Sequence, residues 1–306
     1  MSAPRGDVLE ELRPAAFAIA YRMLGSVAEA EDVVQDSLLR VHSALEAGER
    51  IESPRAYVAT VAARLAIDQL RSARIRRESY VGEWLPEPLI GNADHDPERQ
   101  AQIADSLSLA FLVLLESLSP EQRAVLLLRD VFDYGYDEIA TIVGKSADNT
   151  RQLAARARRH VEERRPRFEA SRQQRDELAG RFFAAAREGD LPALETLLAH
   201  DVALHGDGGG NVPALARSLR GRPRVARTLL AWARPLRGGE ASIRRVDVNG
   251  QPGALLLDPE GKLISVMALD IADSQIQGVS AIVNPDKLRH IGHVGDMRAL
   301  LKSSDS

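Results

Sequence analysis

The chain has 306 residues, 44% of them hydrophobic, which is enough for two or three domains with a core each. It contains no cysteine, so disulfides, thiolate metal sites and cysteine nucleophiles are excluded. The formal net charge of -4 excludes a simple polycation that coats nucleic acid, so any nucleic-acid binding must be local. No apolar run approaches the roughly 20 residues of a membrane helix, and the N-terminus lacks a signal-peptide pattern. We therefore expect a soluble, cytoplasmic protein without a membrane partner.

Three helices are predicted before residue 80, at residues 9–24, 27–47 and 54–77. The second helix has one apolar face and an acidic opposite side. That acidic side carries Glu29, Glu31, Asp32 and Asp36. Two interpretations remain open: the carboxylates complement the helix dipole near its N-terminus, or they form a docking surface for a basic partner.

The third helix is strongly basic. Its arginines are Arg64, Arg71, Arg74, Arg76 and Arg77, with Asp68 as the only acid between the first and the last. Such a surface suits a nucleic-acid backbone, where each neutralised phosphate releases counterions. It could equally face an acidic protein.

Residues 118–165 predict a helix-turn-helix. Ser119 and Gln122 form a capping box, Gly144 ends the helix after the turn, and a third helix begins after Ser146. The first turns of this third helix expose side chains that pair with base edges, and its later arginines suit phosphates. The base-reading candidates are Asn149, Arg151, Gln152 and Arg156. The alternative is a solvated amphipathic helix in an ordinary bundle.

Residues 80–97 form a linker rich in proline and large apolar side chains. Because residues before proline avoid the helical region, residues 85–88 should be extended. A generic tether would be rich in Gly and Ser, whereas Tyr80, Trp84 and Leu85 should pack against a surface. The linker is either a strap between domains or a functional strand, and both can hold at once.

The pattern changes beyond residue 175. Helices at 176–187, 191–199 and 223–232, followed by about four strands, predict an α+β cone with a curved antiparallel sheet. Hairpin turns are expected at Asn249-Gly250 and at residues 258–261.

An enzymatic site is not expected in this cone. Isomerase-like proton transfer needs a carboxylate base and a donor such as tyrosine, and no tyrosine lies beyond residue 136. His205 and Asp207 flank a glycine turn and are expected to shape it, while His290 and His293 lack a third ligand. We therefore expect no catalytic residue, no metal and no cofactor.

Two blocks of sequence carry a resemblance to a known family. The first comprises Tyr21-Arg22-Met23-Leu24-Gly25-Ser26, residues 28–36, Leu39-Arg40, Pro54, Ala56-Tyr57, Arg64-Leu65 and Asp68-Gln69-Leu70-Arg71-Ser72. It resembles the region-two helices of bacterial extracytoplasmic-function sigma factors. The second block, residues 118–165, is similar to region four of the same family, and the two blocks occur in the expected order.

This resemblance implies partners and residue roles. The second helix would bind the beta-prime clamp helices of core RNA polymerase, with the beta subunit as a further contact; its docking residues would be Glu31, Asp32, Gln35 and Asp36. The third helix, with loop 48–52, would engage the melted minus-ten element of promoter DNA; its contacts would be Arg64, Arg71, Arg74 and Arg77. The minus-thirty-five element would be read by the base-reading candidates of the helix-turn-helix.

The linker resembles the signature linker of sigma factors with a SnoaL-like, NTF2-like C-terminal extension, the sigma-J type. The usual pattern has Pro where this chain has Glu83, which should loosen the local turn. Residues 207–210 and 284–288 match two further motifs of this group, and we expect both motifs to contact the promoter-binding half. The implied regulatory or interdomain residues are Tyr80, Trp84, Pro86, Asp207, Gly208, Gly209, Gly210, Asn284, Pro285, Asp286, Lys287 and Leu288.

The sequence therefore predicts a multidomain sigma factor whose activity its own C-terminal domain controls. Two all-α domains, region two (1–79) and region four (98–175), flank the linker, and an α+β SnoaL-like domain (176–290) and a tail (291–306) follow. The tail, with a short helix around Met297, is either frayed or a docking arm. A small ligand in the cone is a further expected partner. The alternative is a SnoaL-like enzyme or small-molecule sensor with an appended DNA-binding module.

Overall fold

The computed structural model describes residues 5–78, 80–91, 106–163 and 171–303, and within these the side chains of residues 5–8 and 73–78 are not described. The chain forms two compact units, with boundaries between residues 79 and 80, 113 and 114, and 165 and 166. The first unit joins the N-terminal segment to residues 114–165. The second joins residues 80–113 to the C-terminal segment, so the linker belongs to the same unit as the predicted cone.

Helices build the first unit. Those that the structure describes are α1 (Arg5–Leu24), α2 (Val27–Glu46), α3 (Pro54–Glu78), α5 (Pro120–Asp130), α6 (Tyr136–Val143) and α7 (Ala147–Glu162), while α4 (Leu109–Leu115) crosses the unit boundary. The first three helices pack together because each buries an apolar stripe. On α2 the buried residues are Ala30, Val33, Val34, Ser37, Val41 and Ala44.

The predicted helix-turn-helix is confirmed as α5, α6 and α7. Ser119 caps α5 and receives the reciprocal side-chain bond of Gln122, which completes the capping box. Gly144 ends α6 with a left-handed φ of 67°, and the Ser146 hydroxyl then caps α7. The turn into α7 is thus encoded by adjacent residues.

The second unit is α+β, as predicted. Its described elements are β1 (Ile90–Gly91), α8 (Arg172–Glu188), α9 (Leu191–Leu197), β2 (Leu198–Asp207), β3 (Leu219–Arg220), α10 (Arg222–Trp232), α11 (Arg234–Arg237), β4 (Ser242–Val248), β5 (Gln251–Leu257), β6 (Leu263–Ala272), β7 (Gln275–Ile282), a 3₁₀ turn (Pro285–Lys287) and α12 (Met297–Ser303).

These strands form one sheet in the order β1-β4-β5-β6-β7-β2-β3. The β4–β5 turn has Asn249 and Gly250 at φ of 53° and 75°, the predicted two-residue hairpin. The predicted antiparallel pairing holds for the other strand pairs, but β2 pairs with β7 in parallel. Hairpin signals orient only consecutive strands, and β2 is separated from the β4–β7 meander by the α10 crossover.

Two cores cover the two faces of this sheet. On one face, α8, α9 and α10 pack through side chains such as Phe182 and Leu229. On the other face, Leu85 of the linker and Leu109 of α4 pack against Val266. The linker also adds β1 beside β4, so it is a structural part of the second unit rather than a free tether.

The sequence also predicts a helix that begins at Asp96-Pro97, but residues 92–105 lie outside the described residues. The helix expected at 191–199 ends at Leu197, because β2 starts at the next residue. No helix in the described part of the chain has the length and apolarity needed to cross a membrane.

Candidate nucleic-acid and partner interfaces

The outer side of α2 carries an exposed acidic stripe. Asp32, Gln35 and Asp36 are exposed, whereas Glu31 is half-buried and bonded to Arg13 of α1. One turn further on, Leu39 is 62% exposed although it is a large apolar side chain. Because helix positions three and four apart share a face, Leu39 extends the stripe and makes it part acidic and part apolar.

The basic side of α3 is partly engaged within the first unit. Arg64 donates to the backbone carbonyls of Thr141 (2.8 Å) and Ile142 (3.4 Å) on α6. Arg71 bonds Glu121 of α5 at 2.7 Å, and this bond raises its pKa. The side chains of Arg74 and Arg77 lie outside the described ones. Two of the four arginines predicted to face the minus-ten element therefore tie α3 to the helix-turn-helix.

A buried arginine makes a second connection inside this unit. Arg123 of α5 is 1% exposed and donates to the backbone carbonyl of Arg22 at 3.0 and 3.2 Å. Burial lowers the pKa of Arg22 to about 10, and its guanidinium lies 5.5 Å from the ring centroid of Phe132. These contacts join the end of α1 to α5.

All four base-reading candidates, Asn149, Arg151, Gln152 and Arg156, are exposed on α7. Arg151 is oriented by a 2.8 Å bond to Asp148 and by the ring of Tyr136, 5.5 Å away. Arg158, which lies further along the helix, pairs with Asp130 of α5, and that bond raises the pKa of Arg158. Arg158 thus holds α7 on α5, and the exposed Arg159 is better placed for a phosphate.

In the second unit, the linker is held by a group of residues that we call the linker clasp: Tyr80, Trp84, Leu85, Asp207 and Lys287. The Asp207 carboxylate accepts bonds from the Tyr80 hydroxyl (2.5 Å), the Leu85 amide (2.8 Å) and the Lys287 ammonium (2.6 Å). The ammonium also donates to the Leu85 carbonyl and lies 4.2 Å from the Trp84 ring centroid. The clasp therefore fixes both the backbone and the aromatic side chains of the linker.

Burial makes the clasp a strong local constraint. The side chains of Lys287 and Asp207 are 8% and 0% exposed, so their charges interact in a poorly screened environment. Burial, followed by the bond to Asp207, raises the pKa of Tyr80, which keeps this hydroxyl a donor. Pro86 and Leu288 are buried as well, and Leu288 packs in the same core as Leu85.

The glycines of the turn at residues 207–210 leave room for the residues that pack around the clasp. Gly209 has a φ of 60°, and a Cβ there would collide with the side-chain amide of Asn284. That amide donates to the Tyr80 hydroxyl at 2.9 Å. A Cβ on Gly210 would press on Val81, and one on Gly208 would meet the carbonyl of Val212. Side chains at these glycines would thus obstruct the approach of the turn to its neighbours.

Known families match the helical segments. Sigma-70 region 2 matches residues 8–76, and Sigma-70 region 4 matches residues 108–161. The protein "ECF RNA polymerase sigma factor SigJ" of Mycobacterium tuberculosis is 36% identical over 287 residues, covering 91% of this chain and 91% of the relative. The chain belongs to the extracytoplasmic-function (ECF) RNA polymerase sigma factors.

This sigma factor has further relatives. "Probable ECF RNA polymerase sigma factor SigI" of M. tuberculosis is 33% identical, over 88% of this chain and 90% of the relative. The crystal structure of M. tuberculosis SigJ matches with a TM-score of 0.75 and 34% identity, covering 93% of this chain and 98% of that one. The protein is a transcription initiation factor and not an enzyme.

At one position this sigma factor departs from the expected linker pattern. Glu83 bonds Nδ1 of His205 at 2.7 Å and the Ser218 hydroxyl at 2.8 Å. Burial opposes ionisation of Glu83, but these bonds outweigh it, and the pKa of Glu83 is lowered. Glu83 therefore adds a polar anchor beside the clasp, and the looser local turn stays a prediction.

The two motifs of this sigma factor, residues 207–210 and 284–288, were expected to contact the promoter-binding half. The contacts described above join them to the linker instead, and contact with the promoter-binding helices stays a prediction. His205 and Asp207 were expected to shape the glycine turn; both also bind linker residues. Among the described residues, no group of three or more His, Asp or Glu side chains could hold a metal ion.

A buried carboxyl group lies on the same sheet. Asp270 of β6 is 7% exposed and lies opposite Gly278 of the neighbouring strand β7. Burial raises its pKa to about 7, and the charge of His205 acts in the opposite direction. The sequence does not single out Asp270, because the alternating pattern of a strand does not show whether other residues cover that face of the sheet.

Proposed function

We propose that this sigma factor binds core RNA polymerase through the acidic stripe of α2, with the beta-prime clamp helices as the main contact and the beta subunit as a second. The support is the shared exposure of Asp32, Gln35, Asp36 and Leu39 on successive turns. Carboxylates would steer a basic partner, and an apolar pocket on the partner would take up the leucine. Burying that leucine would contribute about 1.5–3 kcal/mol.

Leu39→Ser tests this docking surface. Removing the exposed leucine should weaken binding to core polymerase by about ten- to a hundredfold, as expected for the loss of about 1.5–3 kcal/mol. Asp36→Asn should also weaken binding, whereas Asp273→Asn, at an exposed turn of the second unit, should not. Affinity can be measured by fluorescence anisotropy with labelled protein, and unchanged affinity in both α2 variants would exclude this surface.

For promoter binding, we propose that α3 and loop 48–52 engage the melted minus-ten element, through Arg64, Arg71, Arg74 and Arg77. The base-reading candidates of α7 would read the minus-thirty-five element. Arg64 and Arg71 would first have to exchange their bonds to α5 and α6 for bonds to DNA phosphates. The Arg71–Glu121 bond is partly exposed, and exposed ion pairs contribute only about 0–1 kcal/mol, so this exchange has a low cost.

The C-terminal unit would control activity by holding the linker. The linker clasp carries this proposal, because it ties the segment between the two promoter-binding regions to the second unit through a buried ion pair. A held linker limits the arrangements of the regions it connects, and a released linker would shift the population toward arrangements that span a promoter. The proposed location is the cytoplasm, where core polymerase and promoter DNA are found.

Transcription in vitro with core polymerase tests the regulatory proposal. Lys287→Met should change the amount of promoter-specific transcript, because it weakens the clasp without altering α2, α3 or α7. Lys262→Met, at an exposed lysine of the same unit, is the matched control. Equal transcript from Lys287→Met, Lys262→Met and the unaltered chain would exclude the clasp as a control element.

We further propose that a small molecule bound by the second unit is the signal that acts on the clasp.

A further inference from the structure

A cavity of about 270 Å³ lies on the helix-covered face of the sheet in the second unit. Its walls come from α8, α10, α11 and the sheet, with Phe182, Phe183, Trp232 and Met267 among the lining side chains. The cavity is separate from the linker clasp, which lies against the opposite face of the same sheet. It belongs to neither the polymerase-docking nor the promoter-binding surfaces proposed above.

The chemistry of the walls restricts what the cavity can bind. None of the lining residues in the described part of the chain is ionisable. The side chains with polar hydrogens are Ser265, which is 6% exposed, and Trp232. A charged ligand would lose its hydration without compensation, whereas an apolar ligand would gain by leaving water. The Ser265 hydroxyl can both donate and accept, so it suits one hydroxyl or carbonyl group of a ligand.

The volume of the cavity also restricts the size of the ligand. An apolar cavity of about 150 Å³ is known to hold one benzene ring. The volume of 270 Å³ is nearly twice that and close to the lower end of typical ligand pockets, about 300 Å³. A molecule of about two fused rings therefore matches the space.

One wall of the cavity is formed by the short helix α12. Met297, Leu300 and Leu301 of α12 line the cavity, and Leu300 is 5% exposed. The helix is short, and Asp296 caps it through bonds to the amides of Arg298 (2.8 Å) and Ala299 (3.2 Å). A seven-residue helix has little stability of its own, so α12 depends on the apolar contacts that it makes at the cavity.

The same helix is connected to the segment that builds the clasp. Arg298 donates to the carbonyl of Asn211 at 2.9 Å, and the side-chain amide of Asn211 donates to Asp286 at 3.2 Å. Asn211 directly follows the glycine turn, and Asp286 directly precedes Lys287 of the clasp. Movement of α12 would therefore displace the segments next to Asp207 and Lys287, the two charged residues of the clasp.

We propose that this cavity binds a neutral, mainly apolar molecule of about two fused rings with one hydroxyl or carbonyl group, which enters beside α12 and competes with the side chains of this helix for the apolar walls. Occupancy would disturb the Arg298–Asn211 bond and loosen the linker clasp. The coupling rests on the regulatory function proposed above, whereas the binding itself does not. The inference therefore consists of a binding step, which needs no polymerase, and a coupling step to the linker.

Binding of 2-naphthol tests the first step, because this probe has two fused rings and one hydroxyl group and is neutral at neutral pH. Fluorescence titration of the full chain should give saturable binding with one site. The matched probe 2-naphthalenesulfonate has the same rings and a permanent charge, and its binding should be at least tenfold weaker. Equal affinity for the two probes, or no saturable binding of 2-naphthol, would overturn the proposal.

Variants locate the site. Leu256 lines the cavity and Leu257 packs on the opposite face, so these adjacent leucines form a matched pair. Leu256→Trp should fill the cavity and abolish 2-naphthol binding, whereas Leu257→Trp should retain it. Ser265→Ala should weaken 2-naphthol about three- to tenfold and leave naphthalene unchanged, because only 2-naphthol has a group for the hydroxyl. Binding that persists in a folded Leu256→Trp variant would show that the site lies elsewhere.

Hydrogen exchange tests the coupling. Saturating 2-naphthol should accelerate amide exchange in α12 and in linker residues 81–86, and Leu256→Trp should remove both effects. If the probe binds but exchange in the linker is unchanged, the coupling is wrong while the binding site stands. If the probe does not bind but Lys287→Met still alters transcription, the cavity proposal fails and the regulatory proposal survives.

Discussion

Lys287→Met is a direct test of the linker clasp. The substitution retains an unbranched apolar side chain but removes the ammonium group, which lies 2.6 Å from Asp207 Oδ2 and 4.2 Å from the Trp84 ring centroid. It also removes the donor to the Leu85 carbonyl. The Asp207 carboxylate would remain buried, with the Tyr80 hydroxyl and the amides of Leu85 and Gly209 as its donors.

The expected effect of Lys287→Met on the opening of the clasp follows from the burial of the Lys287–Asp207 ion pair. Because the paired side chains are 8% and 0% exposed, Lys287→Met leaves a buried carboxylate without its counter-charge. Removing one partner of a buried ion pair costs about 3–5 kcal/mol. At about 1.4 kcal/mol per factor of ten, the equilibrium constant for opening the clasp should rise by about 100- to 4,000-fold.

The Leu85 amide reports this opening, because it donates to Asp207 and the Leu85 side chain is fully buried. Its hydrogen exchange should accelerate in Lys287→Met in proportion to the opening constant. The exposed control Lys262→Met should exchange as the unaltered chain does. Adding Asp207→Asn should restore part of the protection, because no unpaired charge then stays buried. Unchanged exchange in Lys287→Met, or strictly additive effects in the double variant, would refute the reasoning.

Two further predictions concern the buried carboxyl group and the reader helix. The pKa of Asp270 is raised from 3.8 to about 7, so the folded chain holds a proton that the unfolded chain has released, and the free energy of unfolding should fall by at most about 4 kcal/mol as pH rises from about 4 to 7. In urea titrations Asp270→Asn should abolish this pH dependence and the exposed control Asp273→Asn should retain it; the same slope in both would contradict the assignment. Gln152→Ala should weaken binding to the preferred minus-thirty-five duplex by about 5- to 150-fold and relax its preference, whereas Arg159→Ala should weaken binding to all duplexes and flatten the salt dependence by about 0.9 in log–log slope. Equal losses on every duplex from both variants would argue against base reading.

The helical half was predictable because its signals are local. The Ser119–Gln122 capping box and the Gly144 stop lie within a few residues of the helix ends that they define. The apolar stripe of α2 repeats every three to four residues and identifies its buried side. Leu39 carries a local signal as well, since an apolar side chain off that stripe indicates a partner.

The arrangement of the clasp was not predictable in the same way. Resemblance pointed to Asp207 and Lys287 as regulatory residues, but their partners depend on strand pairing between segments 80 residues apart in sequence. The Glu83–His205 pair spans 122 residues, and neither residue carries a local mark of the other. The parallel pairing of β2 with β7 brings the glycine turn beside the 3₁₀ turn, and only that pairing assembles the clasp.

The sequence by itself determined the family, the approximate positions of most helices, the helix-turn-helix and the exposed polar face of α7, because capping, periodicity and motif spacing act over a few residues. Only the tertiary structure decided that the linker is a packed part of the second unit, that Arg64 and Arg71 are held by α5 and α6, and that α12 closes an apolar cavity. Each of these depends on which distant surfaces bury one another, and burial is a property of the folded chain as a whole.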